Sequence, residues 1–233
     1  MNSSNSYDLI AREYYLPRHV TSRNFDIATR SYLEIRGCKL PSHGPILEIG
    51  AGRGNASSYC GINPDRVTQA DTSLGMLLVS PRDPCIARVS ADGLTLPFRN
   101  GVFKAVVAFL YDPFNMPHLY HELARVLEPG GAFLGSLPNY EWGKSLRQLR
   151  GYSIDKARLI TASGEMIERD SHLMSGREIE SHLRQAGFGN VEIADASLPH
   201  GDYTISTDVI DPAREVGASP FDIPLLTIVR SWK

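Results

Sequence analysis

The stretch "ILEIGAGRGNA", Ile46 to Ala56, decides how the rest of the chain reads. An apolar run carries an acid, Glu48, and then meets glycines at every second position, Gly50, Gly52 and Gly54. The run from Pro45 to Ile49 predicts a buried strand. The glycines predict a sharp turn, because a Cβ would collide there. Helix-compatible sequence follows, so strand, turn and helix come in succession.

The same alternation continues downstream. "RVTQAD" (66–71) reads as a second short strand, "TSLGMLLVS" (72–80) as a helix and "CIARVSAD" (85–92) as a third strand region. "VFKAVVAFL" (102–110) predicts a fourth strand, rich in Val and Phe. Leu119, Leu123, Val126 and Leu127 share one face of a helix over 116–127, which "EPGG" stops before a fifth strand at 132–138. "SGREIESHLRQAGF" (175–188) predicts a helix with Ser175 and Glu178 as a capping box, and 190–198 and 224–232 read as closing strands. Upstream, 7–35 reads as one or two helices broken near Pro17. Such alternation implies a mainly parallel α/β sheet covered on both faces.

The 233 residues allow one α/β domain, or that domain with a small attachment. Apolar residues at 42% and charged residues at 21% are ordinary for a soluble globular protein. A formal charge of −2 exerts no general attraction on phosphate polymers or anionic membranes, so nucleic acid is not a favoured partner. Cys38, Cys60 and Cys85 are odd in number and lack a C-x-x-C pair, so neither a disulfide framework nor a metal site is expected. The first residues lack a basic start and apolar core, and no run of 18 apolar residues exists. The expectation is a reduced, cytoplasmic protein with no membrane association.

In an open α/β sheet, ligands sit beyond the carboxyl ends of the strands, where the glycine turn lies. A dinucleotide fingerprint starting at Gly50 would need glycine where Asn55 stands, and a phosphate loop would need G-K-S/T. Glu48 is a poor neighbour for a pyrophosphate and a good one for a cation. S-adenosylmethionine carries a sulfonium and an ammonium and no phosphate. The alternative is that Glu48 caps the turn and the glycines serve backbone geometry alone. Asp71 ends the second strand, where a carboxylate can accept both ribose hydroxyls. Asp92 follows the third, where it could accept from an adenine amino group, with Gly93 and Leu94 beside it. Three acids at consecutive strand ends on one sheet edge form a coherent cofactor site.

These residues resemble the class I S-adenosylmethionine-dependent methyltransferases, the type 11 group. "ILEIGAGRG" resembles the first motif, "QADTSLGML" the second, "ADGLTLPFRNGVFKAVV" the adenine segment and fourth strand, and "ELARVLEPGGAFLGSLP" the approach to the fifth. Lys104 stands where the family usually has Asp. "YDLIAREYYLPRHVTSRNFD" is similar to the family's opening helix, which in relatives lies over the cofactor. The resemblance implies a Rossmann-like, seven-stranded, mostly parallel sheet with the last strand antiparallel. It implies an N-terminal helical lid over 1–43, and a methyltransferase domain over 44–233 with inserts at 139–172 and 199–222. It implies S-adenosylmethionine as cofactor, held by Tyr14, Glu48, Gly50, Ala51, Gly52, Gly54, Asp71, Thr72, Met76, Asp92, Gly93 and Leu94.

Methyl transfer is an in-line displacement at an activated carbon, so alignment and exclusion of water come first. A base is needed only for an acceptor protonated at working pH. Candidates for chemistry are His19, Tyr111 and Asp112. "YDPFNMP" is similar to the D/N-P-P-Y/F motif of amino-methylating nucleic-acid enzymes but lacks its second proline, and Asp112 as a helix-start turn residue is the alternative. Tyr14, Tyr15 and His19 cluster in the lid. His118 and His121, with Glu122, lack the zinc spacing and read as a solvated helix face. "NYEWGKSLRQLRGYSIDKAR" (139–158) interleaves rings with cations, which could stack on and neutralise a nucleic acid or an anionic metabolite; the alternative is a solvated helical insert with its aromatics packing on the domain. The expected activity is methyl transfer to oxygen or nitrogen of a small metabolite. Competing readings are an RNA or protein methyltransferase, a cofactor-binding partner without turnover, and an NAD-linked oxidoreductase, which Asn55 and Glu48 disfavour.

Overall fold

The computed structural model describes residues 6–14, 16–79, 87–161 and 163–233; Tyr15 and Cys85 lie outside them. In chain order the elements are α1 (Ser6–Ile10), α2 (Val20–Arg36), β1 (Ile46–Ile49), α3 (Ala56–Cys60), β2 (Val67–Asp71), α4 (Leu74–Val79), β3 (Ala87–Ser90) and β4 (Phe103–Phe109). Then come α5 (Pro117–Val126), β5 (Leu127–Pro138), α6 (Tyr140–Arg150), β6 (Lys156–Ile160), β7 (Met166–Asp170), α7 (Gly176–Gln185), β8 (Asn190–Ala196), α8 (Thr207–Glu215) and β9 (Leu226–Trp232).

Seven strands form one sheet in the order β3-β2-β1-β4-β5-β9-β8. The first five are parallel, and β9 runs antiparallel to both β5 and β8. The fold class expected from the sequence is therefore the one observed. The chain steps outward from β1 through β2 to β3 and then returns to β4 on the other side of β1. That reversal opens a crevice at the carboxyl ends of β1 and β4, where an open α/β sheet places its ligand. Every residue of β1 is buried, which explains its unbroken apolar run around Glu48.

Helices cover both faces. On one, Leu119 and Leu123 of α5 and Ile179 and Leu183 of α7 pack on Val106 and Phe133. On the other, Ala28 and Leu33 of α2, Trp142 and Leu146 of α6 and Val209 of α8 pack on Ile46, Val107 and Leu134. The capping box at Ser175 and Glu178 is present at the start of α7. Strand β5 begins at Leu127, five residues earlier than the sequence suggested, with a register shift against β4 between Phe103 and Ala105. Lys104, the departure from the family pattern, pairs with Glu128 at that shift.

One expectation holds in part and one needs correction. Over 139–158 the helical insert with aromatics packed on the domain is present as α6, but that helix ends at Arg150. Trp142 of α6 is buried edge-on against Phe25 and donates to the Asp208 carbonyl at 3.0 Å, and the rest of the insert is an antiparallel β6–β7 hairpin. Cys38 and Cys60 are joined by a disulfide, with Cα atoms 5.6 Å apart. Cys38, two residues past the end of α2, and the last residue of α3 converge in space, which a separation of 22 in sequence conceals. Among the described residues no helix is long and apolar enough to cross a membrane.

Candidate active site

The turn after β1 is built from left-handed glycines, with φ of +61° at Gly50, +53° at Gly52 and +84° at Gly54. At Gly50 space is limiting as well, since a Cβ would lie 2.9 Å from the Phe114 ring. Glu48 holds this turn closed. Its Oε1 accepts the N–H groups of Asn55 at 2.7 Å and Ala56 at 2.8 Å, and its Oε2 accepts from Gln69 Nε2 at 3.2 Å. The turn-capping geometry is thus present, and the same carboxyl also lines the crevice. Burial pushes the acid up to about 7, against the pull of its three donors.

Asp71 ties the second motif to the first. Its Oδ2 accepts from Gly52 N and its Oδ1 from Ser73 N, both at 2.8 Å, and burial raises its carboxyl. Asp92 is exposed and accepts from Leu94 N at 2.9 Å. Ahead of both, Asp8 of α1 accepts from Ser73 Oγ at 2.6 Å and Gly75 N at 2.7 Å. This latch, with Ile10 and Ala11 buried behind it, fixes the N-terminal segment against α4.

A cavity of about 820 Å³ occupies the crevice, and all twelve residues expected at the cofactor line it. Its size lies within the ~300–1,000 Å³ range of small-molecule sites. Sequence reasoning missed its outer wall. There the Tyr59 hydroxyl donates to Asp26, Arg30 pairs with Asp26 at 3.2 Å, and the Arg30 guanidinium lies 4.7 Å over the Tyr59 ring. Only the Asp26–Arg30 spacing of four along a helix was legible beforehand.

A second cavity of about 640 Å³ adjoins the first, and Tyr7, Tyr14, Ser22, Phe25 and Leu110 line both. His19 and Asp112 line the second; Tyr111 lines neither. Tyr111 is fully buried against Phe114 and Phe133, so its expected place at the reacting centre is corrected to a core position. Leu110, left-handed at φ +55°, turns the chain here and stands at the junction of the cavities. Such a conformation in a bulky residue is uncommon and concentrates at functional sites.

Asp112 opens a short 3-10 turn. Its Oδ2 accepts from Ser171 Oγ at 2.5 Å, and Ser171 in turn accepts from Arg147 Nη2 at 2.6 Å. Burial raises this acid to about 6, with Ser171 and Arg147 holding it down. His19 stacks on Tyr14 at 6.3 Å, and burial, then Arg18, lowers its pKa. The basic insert is largely neutralised. Arg150 pairs with Asp208 and Asp211, Lys156 with Asp170, Arg158 with Glu168, and Arg147 is buried. His118 and His121 are exposed, and among the described residues no metal-binding cluster exists.

Residues 47–135 match the family described as "Methyltransferase domain". The demethylmenaquinone methyltransferase of Clavibacter sepedonicus is 29% identical over 163 residues, spanning 63% of this chain and 66% of that protein. The one from Corynebacterium urealyticum is 32% identical over 129 residues, spanning 54% of each. The chain thus spans between about half and two thirds of the length of these relatives. Among solved structures, the methyltransferase in complex with the Haloferax volcanii Trm112 methyltransferase activator superposes with a TM-score of 0.70 at 17% identity, covering 98% of this chain and 97% of that one. The DhpI-SAM-HEP complex superposes at 0.61 and 16% identity, covering 97% and 93%.

Proposed function

We propose, for a chain whose residues 47–135 form a methyltransferase domain with the class I S-adenosylmethionine-dependent fold, that it transfers a methyl group to a small organic acceptor. The observation that carries this reading is the pair of adjoining cavities separated by Tyr7, Tyr14, Phe25 and Leu110. The larger cavity fits S-adenosylmethionine. It has an acid at each of three strand ends, a turn whose glycines keep the backbone bare, and a buried carboxyl, Glu48, that a cationic ligand would favour as the anion. When bound, the cofactor supplies a methyl carbon already activated by its sulfonium. Asp71 and Asp92 would hold the adenosyl end.

The smaller cavity is the acceptor site of this reading. Asp112 is its proton acceptor, since its pKa of about 6 leaves it mostly ionised at neutral pH while still basic enough to be useful. His19 is the second basic group on the same wall. Neutralised cations in the insert support a small acceptor over a nucleic acid, and the relatives' names describe a small-molecule acceptor as well. Calorimetry tests the reading. S-adenosylhomocysteine should bind and NAD should not, and methyl from labelled cofactor should appear in an acceptor from a metabolite panel. Equal binding of NAD would overturn it.

A further inference from the structure

Several buried polar atoms of residues that line the second cavity have no hydrogen-bond partners among the described residues. They are Nε and Nη2 of Arg169, Nε2 of His19 and Oγ of Ser206, and all three residues line that cavity. Arg169 is the inward residue of β7 and is 5% exposed. Its Nη1 reaches only the neighbouring Glu168 carbonyl, at 3.3 Å, and its guanidinium lies 4.6 Å over the Tyr7 ring.

The other charges on this wall are accounted for. Arg147 donates to Lys156 O, Gly143 O and Ser171 Oγ; Asp112 accepts from Ser171. Arg18 pairs with Glu13, Arg158 with Glu168, and Asp208 with Arg150. Arg169 has no carboxylate within ion-pair distance among the described residues; Asp170, the acid that acts on it through space, pairs with Lys156. The Nε–Nη2 edge, whose donors are unmet, is the edge of a guanidinium that holds a planar or tetrahedral oxyanion at two points.

We propose that the second cavity recognises an acceptor carrying an anionic group, a carboxylate or a phosphoryl group, and that Arg169 binds that group. This rests on the assignment of the cavity as the acceptor site. From Arg169 the rings of Tyr7, Tyr14 and His19 follow one another, Tyr7 edge-on to Tyr14 at 6.2 Å and Tyr14 stacked on His19 at 6.3 Å. That row of rings passes the boundary with the larger cavity, so an acceptor anchored by its anion at Arg169 extends along aromatic surface toward the methyl donor's site.

The test is calorimetry of the full chain with benzoate, phenylphosphonate and neutral benzamide, each with and without saturating S-adenosylhomocysteine. The two anions should bind more tightly than benzamide, and the stronger of them tells a carboxylate site from a phosphoryl one. Arg169→Met should weaken the anions roughly tenfold or more and leave benzamide and S-adenosylhomocysteine unchanged. Should that variant fail to fold, Arg169→Lys takes its place: weaker anion binding supports the proposal, and unchanged binding overturns it. Benzamide binding as well as the anions, or an anion preference that survives Arg169→Met, would also overturn it. Failure to bind S-adenosylhomocysteine with the anion preference intact would instead overturn the transferase reading alone.

Discussion

The backbone N–H of Gly52 donates to Asp71 Oδ2 at 2.8 Å, joining the turn after β1 to the end of β2. One carboxylate therefore both shapes the glycine turn and lines the larger cavity. Asp71→Ala should weaken S-adenosylhomocysteine by roughly 1–3 kcal/mol, the scale of hydrogen bonds to a charged acceptor. It should also lower the melting temperature, because Gly52 and Ser73 lose their acceptor. Asp71→Asn should lose less of the fold than of the affinity. Calorimetry and thermal denaturation check both, and an unchanged affinity would remove Asp71 from the cofactor site.

Asp112 should set the pH dependence of turnover. Its pKa is raised to about 6, so the basic form grows as pH rises through 6, and the rate should climb there and level off above about 7. Asp112→Asn should cost on the order of 10²–10⁴ in kcat with little change in S-adenosylhomocysteine affinity. Ser171→Ala removes the donor that holds the pKa down, so the rise should move to higher pH. A profile identical in Ser171→Ala would show that another group sets it.

Glu48 makes a prediction about stability. Its folded pKa of about 7 lies above its ordinary value, so the folded state binds the proton more tightly than the unfolded chain does. The associated stability is complete below the unfolded pKa near 4.5 and is lost as pH rises through about 7. That loss is at most about 3 kcal/mol. Asp112 adds a smaller loss ending near pH 6. Urea denaturation between pH 4.5 and 8 should show the decline, and Glu48→Gln should flatten its upper part. A slope unaltered in Glu48→Gln would mean that the carboxyl is ionised throughout.

Asp8 should control the N-terminal segment. Asp8→Ala leaves Ser73 Oγ and Gly75 N without their acceptor, so amide exchange over residues 6–11 should quicken and cofactor affinity should fall several-fold. In the wild-type protein those amides should exchange faster than β1 and β4, and S-adenosylhomocysteine should slow them. Exchange as slow as the central strands without ligand would rule out gating by this segment.

The Cys38–Cys60 bond should appear as an intact mass two hydrogens below the fully reduced chain. Replacing either cysteine by serine should lower stability by about 2–4 kcal/mol. Labelling of all three cysteines in the unreduced, unfolded protein would exclude the bond.

The sequence by itself determined the sheet and the sheet edge on which the larger cavity lies. Strand-forming runs, the glycine turn and the acids Glu48, Asp71 and Asp92 are local patterns, each decided by backbone propensity within a few residues. Parallel strands then carry those strand ends to one edge without further information. Tertiary structure alone decided what each acid touches. Glu48 closes the turn through Asn55 and Ala56, and Asp8 latches onto Ser73 across 65 residues. It also turned Tyr111 into the core, buried Trp142 and Arg147, joined Cys38 to Cys60, and brought Arg169 beside Tyr7. The reason is physical: a side chain's partner and burial depend on which distant elements pack against it, and local sequence patterns do not specify that packing.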